Sequence, residues 1–509
     1  MTSLGRRRWW VLGALVVILL AVGLDLTALN VALPTLSAQL DAGTSALQWI
    51  VASYTLVSAT LLIPAGLIGD RYGRKRTLLA GLALFLAGSL LATLVSSPAG
   101  LITARTLMGV GSAAITTLAM SVLLVVFPSE ERPKALGAWA AASFLGLPLG
   151  PIIGGYLLDH FWWGSIFLIN IPVSAVALVL GLILIPESRS SSAPRPDFTG
   201  LLLSTGGLVA LVYGTIQEDE YGWSSPGVWG VMAAGALMLV AFVAWTRRVA
   251  HPLVDLRLFA DRRFTGGVLP ATLLTFAMFG VLFVVPQYFQ AVLETTPMGS
   301  GLRLLPLIGG LIASSRLGAP LVKRIGPRLT IVAGALLVIA GMLLGATTTA
   351  GSGYGLAAAW LTVAGLGMGL MLPASMNAAM SALSAEQAGV GSAVLMTVRL
   401  VGGAFGAAVL GSLLSSGYRG RVDVTGLPPT AAHTVRDRVG GGIVVAGRLH
   451  EPRLLHSVRA AFTHGMDLTL LAGAGIMAVA ALLALMLLPR RGADEPAGNG
   501  QSTHEYVSA

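Results

Sequence analysis

An acid placed well inside an apolar helix is the first feature of this sequence that could do chemistry. Asp25 stands in Asp25-Leu26-Thr27-Ala28-Leu29-Asn30-Val31-Ala32-Leu33-Pro34, within an apolar run near 9–33. A carboxylate in hydrocarbon costs at least about 2.5–3.5 kcal/mol, so it calls for a partner and a use. Arg105, in Arg105-Thr106-Leu107-Met108-Gly109-Val110-Gly111 of the run near 100–126, is the candidate partner. Counted from the ends of the two runs on the same membrane face at about 1.5 Å per residue, their depths differ by roughly 5 Å, so they can meet. Such a pair can change its protonation when either helix shifts, which is proton and charge movement and not bond cleavage. Other chemistry is scarce. There is no Cys, so thiolate nucleophiles, iron–sulfur clusters and cysteine-ligated zinc are excluded. The seven His are scattered in loops without metal-ligand spacing, and no acids cluster at one membrane face, so neither an enzyme nor a resident cofactor is expected.

The elements that position these residues must be membrane helices. Of 509 residues, 55% are hydrophobic and only 11% charged, against about 25% charged in an ordinary soluble domain. The net charge of +10 comes from basic residues in short loops between apolar runs, which is the pattern of cytoplasmic membrane loops and not a nucleic-acid-binding face. Crossing hydrocarbon takes about 20 apolar residues. About fourteen runs qualify, near 9–33, 46–68, 77–95, 100–126, 135–158, 164–186, 199–217, 227–245, 264–289, 300–321, 329–347, 355–375, 390–413 and 465–488. With a cytoplasmic N-terminus, the inside loops hold Arg71, Arg74, Lys75, Arg76, Arg132, Lys134, Arg257, Arg262, Lys323 and Arg328, while the short outside loops hold no Lys or Arg. Both termini are therefore expected in the cytoplasm. The long outside segment 414–464, with Pro428-Pro429 and Gly440-Gly441-Gly442, is expected to fold as a hairpin or helical cap, and the polar tail 490–509 to be disordered.

The chain also repeats itself. Gly66-Leu67-Ile68-Gly69-Asp70-Arg71-Tyr72-Gly73-Arg74-Lys75-Arg76 follows the second run, and Lys323-Arg324-Ile325-Gly326-Pro327-Arg328 echoes it after the tenth. Gly146, Gly150 and Gly154 of the fifth run are echoed by Gly402, Gly406 and Leu410 of the thirteenth. Both echoes are displaced by eight runs, so runs one to six correspond to nine to fourteen. This divides the chain into a six-helix bundle (1–198), two inserted helices with a linker (199–263), and a second six-helix bundle (264–489). Two related halves mark a rocking transporter with its cargo site at the half interface. Glycines four apart in Gly146-Leu147-Pro148-Leu149-Gly150-Pro151-Ile152-Ile153-Gly154-Gly155 form a groove along one helix face that could slide during rocking.

Together these motifs resemble the fourteen-span drug:proton antiporters of the major facilitator superfamily, which include exporters of quaternary ammonium compounds and of antibiotics. The resemblance runs along nearly the whole chain. It implies the major facilitator fold: an all-α membrane protein with two six-helix bundles and two inserted helices. Residue by residue, it implies that Asp25 and Arg105 serve proton coupling and that Gly66, Asp70, Arg71, Gly73 and Arg74 latch the cytoplasmic ends of the halves in the outward-open state. Gly146, Gly150, Pro151, Gly154 and Gly155 would form the Gly-Pro-rich fifth span that its antiporters carry and its symporters generally lack. Trp162 to Pro172 matches the entry to the sixth span, with Trp162 and Trp163 in the aromatic belt. For the cargo cavity we look to Asn30, Tyr54, Phe144, Phe276, Phe279, Phe283 and Gln287, large apolar faces with a few polar handles. Arg303 and Arg316 are placed to snorkel from the ends of the tenth span, whereas Arg399 lies deeper with no evident acidic partner. The extra acids that some quaternary-ammonium exporters carry in spans ten and thirteen are absent here, which argues against a strong preference for dications. The implied activity is proton-coupled export of small hydrophobic compounds, cationic ones among them, by a monomer in a bacterial cell membrane. Its partners would be protons and lipid, and its energy source the proton gradient instead of a cofactor. Export of a lipid or lipoconjugate, and proton-coupled uptake on the same fold, are the alternatives.

Overall fold

The computed structural model describes residues 3–128, 131–189, 197–221, 224–249, 252–384 and 387–489. The expectation of a disordered tail over 490–509 lies outside them, as does the side chain of Phe144.

The first half contains α1 (Ser3–Gln39), α2 (Thr44–Tyr72), α3 (Arg74–Leu94), α4 (Pro98–Val126) and α5 (Arg132–His160). In its sixth span the hydrogen-bond ladder lapses at Ile169, between α6 (Ser165–Leu168) and α7 (Asn170–Leu184), while the backbone there keeps helical angles. The interruption has a local cause: Pro172 has no amide to return to the carbonyl of Leu168. The inserted pair is α8 (Phe198–Tyr221) and α9 (Pro226–Thr246). The second half comprises α10 (Arg262–Ala291), α11 (Pro297–Arg303), α12 (Leu305–Gly345), α13 (Tyr354–Met380) and α14 (Ala388–Arg421), then α15 (Pro429–Asp437), α16 (Val439–Leu449) and α17 (Pro452–Leu487). Among the described residues no strand occurs. Thirteen stretches there are long and apolar enough to cross a membrane, and α5 is a further 29-residue helix at the expected fifth position.

The helices sort into two bundles. In the first, α1 packs on α5 and α7, α2 on α4, and α3 on α4 and α7; in the second, α10 packs on α13, α14 and α17, and α12 on α13 and α17. Between them, α8 joins α2 and α14 through a small apolar cluster of Ala52, Leu56, Val212, Ile216, Ala404 and Ala408. The internal repeat is visible as geometry. Gly73 turns the chain from α2 to α3 at φ 122°, and Gly326 turns it within α12 at φ 83°, conformations that a side chain strains. That second turn separates the tenth span from the eleventh although helical residues run almost without interruption across it.

Both boundaries of the long segment differ from the sequence expectation, and α14 runs on to Arg421, eight residues past the expected 413. The last helix begins at Pro452, thirteen residues before the expected 465, because α17 carries part of the segment expected outside as continuous helix. The remainder of that segment is the short pair α15 and α16, a helical cap.

The cap sits where the halves meet. Arg438, between α15 and α16, donates to the Ser37 carbonyl at 3.2 Å and pairs with Asp41. Thr44 donates to the Asp437 carbonyl at 3.2 Å, Gln290 to the Val31 carbonyl at 2.9 Å, and Gln48 to the Ala408 carbonyl at 3.1 Å. At the same end the Met298 amide donates to Asp159 at 3.3 Å. These bonds between the first half and the second gather toward the cap end.

Candidate functional site

α1 delivers Asp25 into the first bundle between α4 and α7. Arg105 Nη1 donates to Asp25 Oδ2 at 2.5 Å, and Asn170 Nδ2 donates to Asp25 Oδ1 at 3.0 Å. Arg105 Nε donates to the Ile50 carbonyl of α2 at 3.3 Å, and the guanidinium lies 4.2 Å over the Tyr54 ring and 5.9 Å from that of Phe167. Asp25 is 4% exposed and Arg105 1%. Four spans thus converge on one carboxylate. An aromatic face and a backbone oxygen complete the guanidinium's surroundings, as a buried cation requires.

Why the backbone of α1 can come so close to α5 is explained by the glycines. A Cβ on Gly146 would stand 2.9 Å from the Gly23 carbonyl carbon, one on Gly150 2.9 Å from the Leu24 carbonyl oxygen and 3.0 Å from the Ala28 amide, and one on Gly154 2.9 Å from the Ala28 methyl. Thr27 Oγ1 donates to the Gly146 carbonyl at 3.1 Å. The groove is therefore filled by α1 of the same half at the turn that carries Asp25. The groove expected to slide thus has a neighbour within the same bundle as its occupant. Gly155 and Pro151 face elsewhere. A Cβ on Gly155 would stand 2.6 Å from Met298 Cα, and one on Gly301 2.7 Å from the Pro151 carbonyl carbon, so this second face of α5 meets α11 across the seam.

The Asp70 loop is held by its own half. Asp70 accepts from Arg74 Nε at 2.7 Å, the Arg74 amide donates to the Ser188 carbonyl at 2.8 Å, Arg71 lies over Tyr72, and Gly73 packs against Glu187. Gly66 leaves room for Thr117 of α4, 2.9 Å from where its Cβ would be.

The residues expected around cargo are dispersed. Tyr54 is beneath Arg105 and buried. Asn30 is buried on α1 and donates to the Leu26 carbonyl at 3.2 Å. On α10, Phe276 is half-buried beside Gly406, Phe279 packs on Gly403, and Phe283 is fully buried beside Gly411. Gln287 donates to the Phe283 carbonyl at 2.7 Å and lines a cavity of about 110 Å³ under the cap, together with Ser37, Leu47, Gln290 and Tyr418. Arg316 is exposed, as snorkelling requires, but Arg303 instead lies over the Tyr354 ring at 5.2 Å, with Nη1 buried and without a hydrogen-bond partner among the described residues.

Three polar residues escaped the sequence reading. Asn170 was legible only as part of the Trp162 to Pro172 motif, and Gln48 as a lone amide in an apolar run. Asp467 falls two residues inside the expected last span but fifteen inside the observed helix, with Oδ1 buried and unpartnered. Among the described residues no cluster of His, Cys, Asp or Glu could hold a metal.

Comparison with known proteins agrees with this architecture. The family model of the Major Facilitator Superfamily matches residues 15–407. The tetracenomycin C resistance and export protein of Streptomyces glaucescens is 33% identical, with 95% of this chain and 92% of that protein covered. The multidrug efflux pump LfrA of Mycolicibacterium smegmatis is 33% identical, with 93% and 95% covered. Among solved structures, a bacterial homolog of the human lysosomal transporter Spinster, inward-facing and unoccupied, superposes with a TM-score of 0.69 at 17% identity, covering 96% of this chain and 98% of that one. Motifs, helix packing and relatives together make this chain a member of the Major Facilitator Superfamily.

Proposed function

We propose that this protein is a proton-coupled antiporter of the bacterial plasma membrane that exports small hydrophobic drugs or antibiotics by alternating access. The observation that carries the reading is the Asp25 carboxylate, buried within a membrane helix and held by Arg105 and Asn170. The names of the relatives, a tetracenomycin exporter and a multidrug efflux pump, support the cargo class.

In this reading Asp25 takes a proton when the cavity opens to the outside and releases it inside. Protonation neutralises the carboxylate and removes the charge that holds Arg105, so α1 and α4 are freed to shift. α5 links this event to the seam, since one of its faces presses on the Asp25 turn and the other on α11. The loop charges support cytoplasmic termini, which makes the cap end external. We read the bonds gathered at that end as an external seal, which in this reading corresponds to an inward-facing state. In that state the Asp70 latch is disengaged, consistent with Asp70 pairing within its own loop. Phe276, Phe279, Asn30 and Gln287 are the side chains we assign to cargo contact, and Tyr54 to the base of the proton site. The test is transport in everted membrane vesicles. Acidifying their interior drives a cationic dye such as ethidium inward if the protein is a proton-driven exporter; dye uptake indifferent to the proton gradient rejects the coupling.

A further inference from the structure

Arg399 is another cation within a membrane helix, apart from the Asp25 site. It lies on α14, one turn before Gly402, and reaches between α10 and α13. Nε donates to Thr275 Oγ1 at 3.3 Å, and Nη1 approaches only the thioether sulfurs of Met396 at 3.4 Å and Met376 at 3.7 Å. No carboxylate pairs with it among the described residues. Thioethers are weak acceptors and a hydroxyl is neutral, so the charge of this guanidinium stands uncompensated. Arg105 shows what the same side chain receives where its role is internal: a carboxylate at 2.5 Å, a backbone carbonyl and an aromatic face.

The internal repeat sharpens the contrast. Gly150 presses on Leu24 as Gly406 presses on Phe276, which sets Asp25 of α1 opposite Ala277 of α10. Gly88 packs on Ala104 and Met108 as Gly341 packs on Trp360 and Ala364, which sets Arg105 opposite Leu361. The second half has thus lost both members of the ion pair, and Thr275, the partner of Arg399, lies two residues from Ala277 on α10. At similar depth in the membrane, the first half carries a compensated pair and the second a lone positive charge.

An unpaired membrane cation marks a substrate path more readily than it contributes to stability. We infer that Arg399 is the recognition residue for an acidic group, a carboxylate or ionised phenol, on an otherwise apolar aromatic cargo. The guanidinium supplies two parallel donors to the acidic oxygens. Met376 and Met396 supply soft faces that adapt to the ring, and half-buried Phe276 stands one residue from Thr275. Depth argues against a lipid headgroup as the partner, because Arg399 is eleven residues inside a 34-residue helix. A cell interior that is negative also drives an organic anion outward, so such a cargo suits an exporter.

The inference rests on the export reading and is tested apart from it, with two xanthene dyes of similar shape: fluorescein, an anion, and a rhodamine methyl ester, a cation. Fluorescence polarisation with purified protein measures binding. Arg399→Gln is expected to weaken fluorescein binding by about tenfold, the worth of one charge-assisted hydrogen bond, and to leave rhodamine within about twofold. Arg399→Lys keeps the charge but not the fork and falls between. Equal loss of both dyes, or no change in either, overturns the assignment while leaving proton-driven rhodamine export standing. If neither variant folds, the wild-type protein decides: fluorescein must bind more tightly than its derivative methylated at both the phenol and the carboxyl, which is uncharged, and equal affinity refutes the inference.

Discussion

At the scale of single residues, the Asp25 site is a balance between one negative and one positive charge in a medium that tolerates neither alone. Asn170 is the third member of that balance. Asn170→Ala removes a charge-assisted hydrogen bond and is expected to cost about 1.5–3 kcal/mol, while Asn170→Asp is expected to cost more because it sets two carboxylates side by side. Thermal unfolding in detergent reads both, and two variants as stable as the parent would show that the amide does not hold Asp25. The pairing of Asp25 with Arg105 was legible in the sequence because helix rise converts residue count into depth, and depth was enough. Asn170 was not legible, because an amide near the start of an apolar run does not by itself reveal that it faces Asp25 of another helix.

At the scale of elements, α5 is the part whose reading changed most. Spacing alone shows that Gly146, Gly150 and Gly154 share a helix face, but not which neighbour fills it. The structure puts α1 there, against Leu24 and Ala28. Gly150→Leu is therefore expected to displace the α1 turn that carries Asp25, destabilising the protein by about 1–3 kcal/mol. It should slow proton-driven export strongly while dye binding persists. Gly155→Leu works against Met298 instead and is expected to loosen the contact between the halves at the cap end, raising exposure of a spin label or thiol probe there. If Gly150→Leu left coupling intact, α5 would be ordinary packing. The helix count and the cap were legible from run length and loop composition. The start of α17 was not, because a polar helix above the membrane and a loop look alike by hydropathy.

At the scale of the whole molecule, two bundles share one geometry and divide the chemistry. The repeat was readable from Gly73 and Gly326, whose positive φ a side chain would strain. The structure adds what those echoes could not show: the halves are joined by Arg438, Thr44, Gln290 and Gln48 at the cap end. In the proposed cycle, Asp70→Asn is expected to favour the inward-facing state and to deplete the outward-open one, read as a longer mean distance between spin labels on the Asp70 ends of the two halves. An unchanged distance distribution would leave the loop charges with a role in orientation only. The central claim, that Asp25 carries the coupled proton, is tested most directly by proton release from purified protein when cargo is added in weakly buffered detergent. The wild-type protein is predicted to release protons on ethidium addition, and Asp25→Asn, which keeps the shape of the site but has no proton to give, to bind the dye and release none. Proton release from Asp25→Asn equal to that of the wild type would contradict the account.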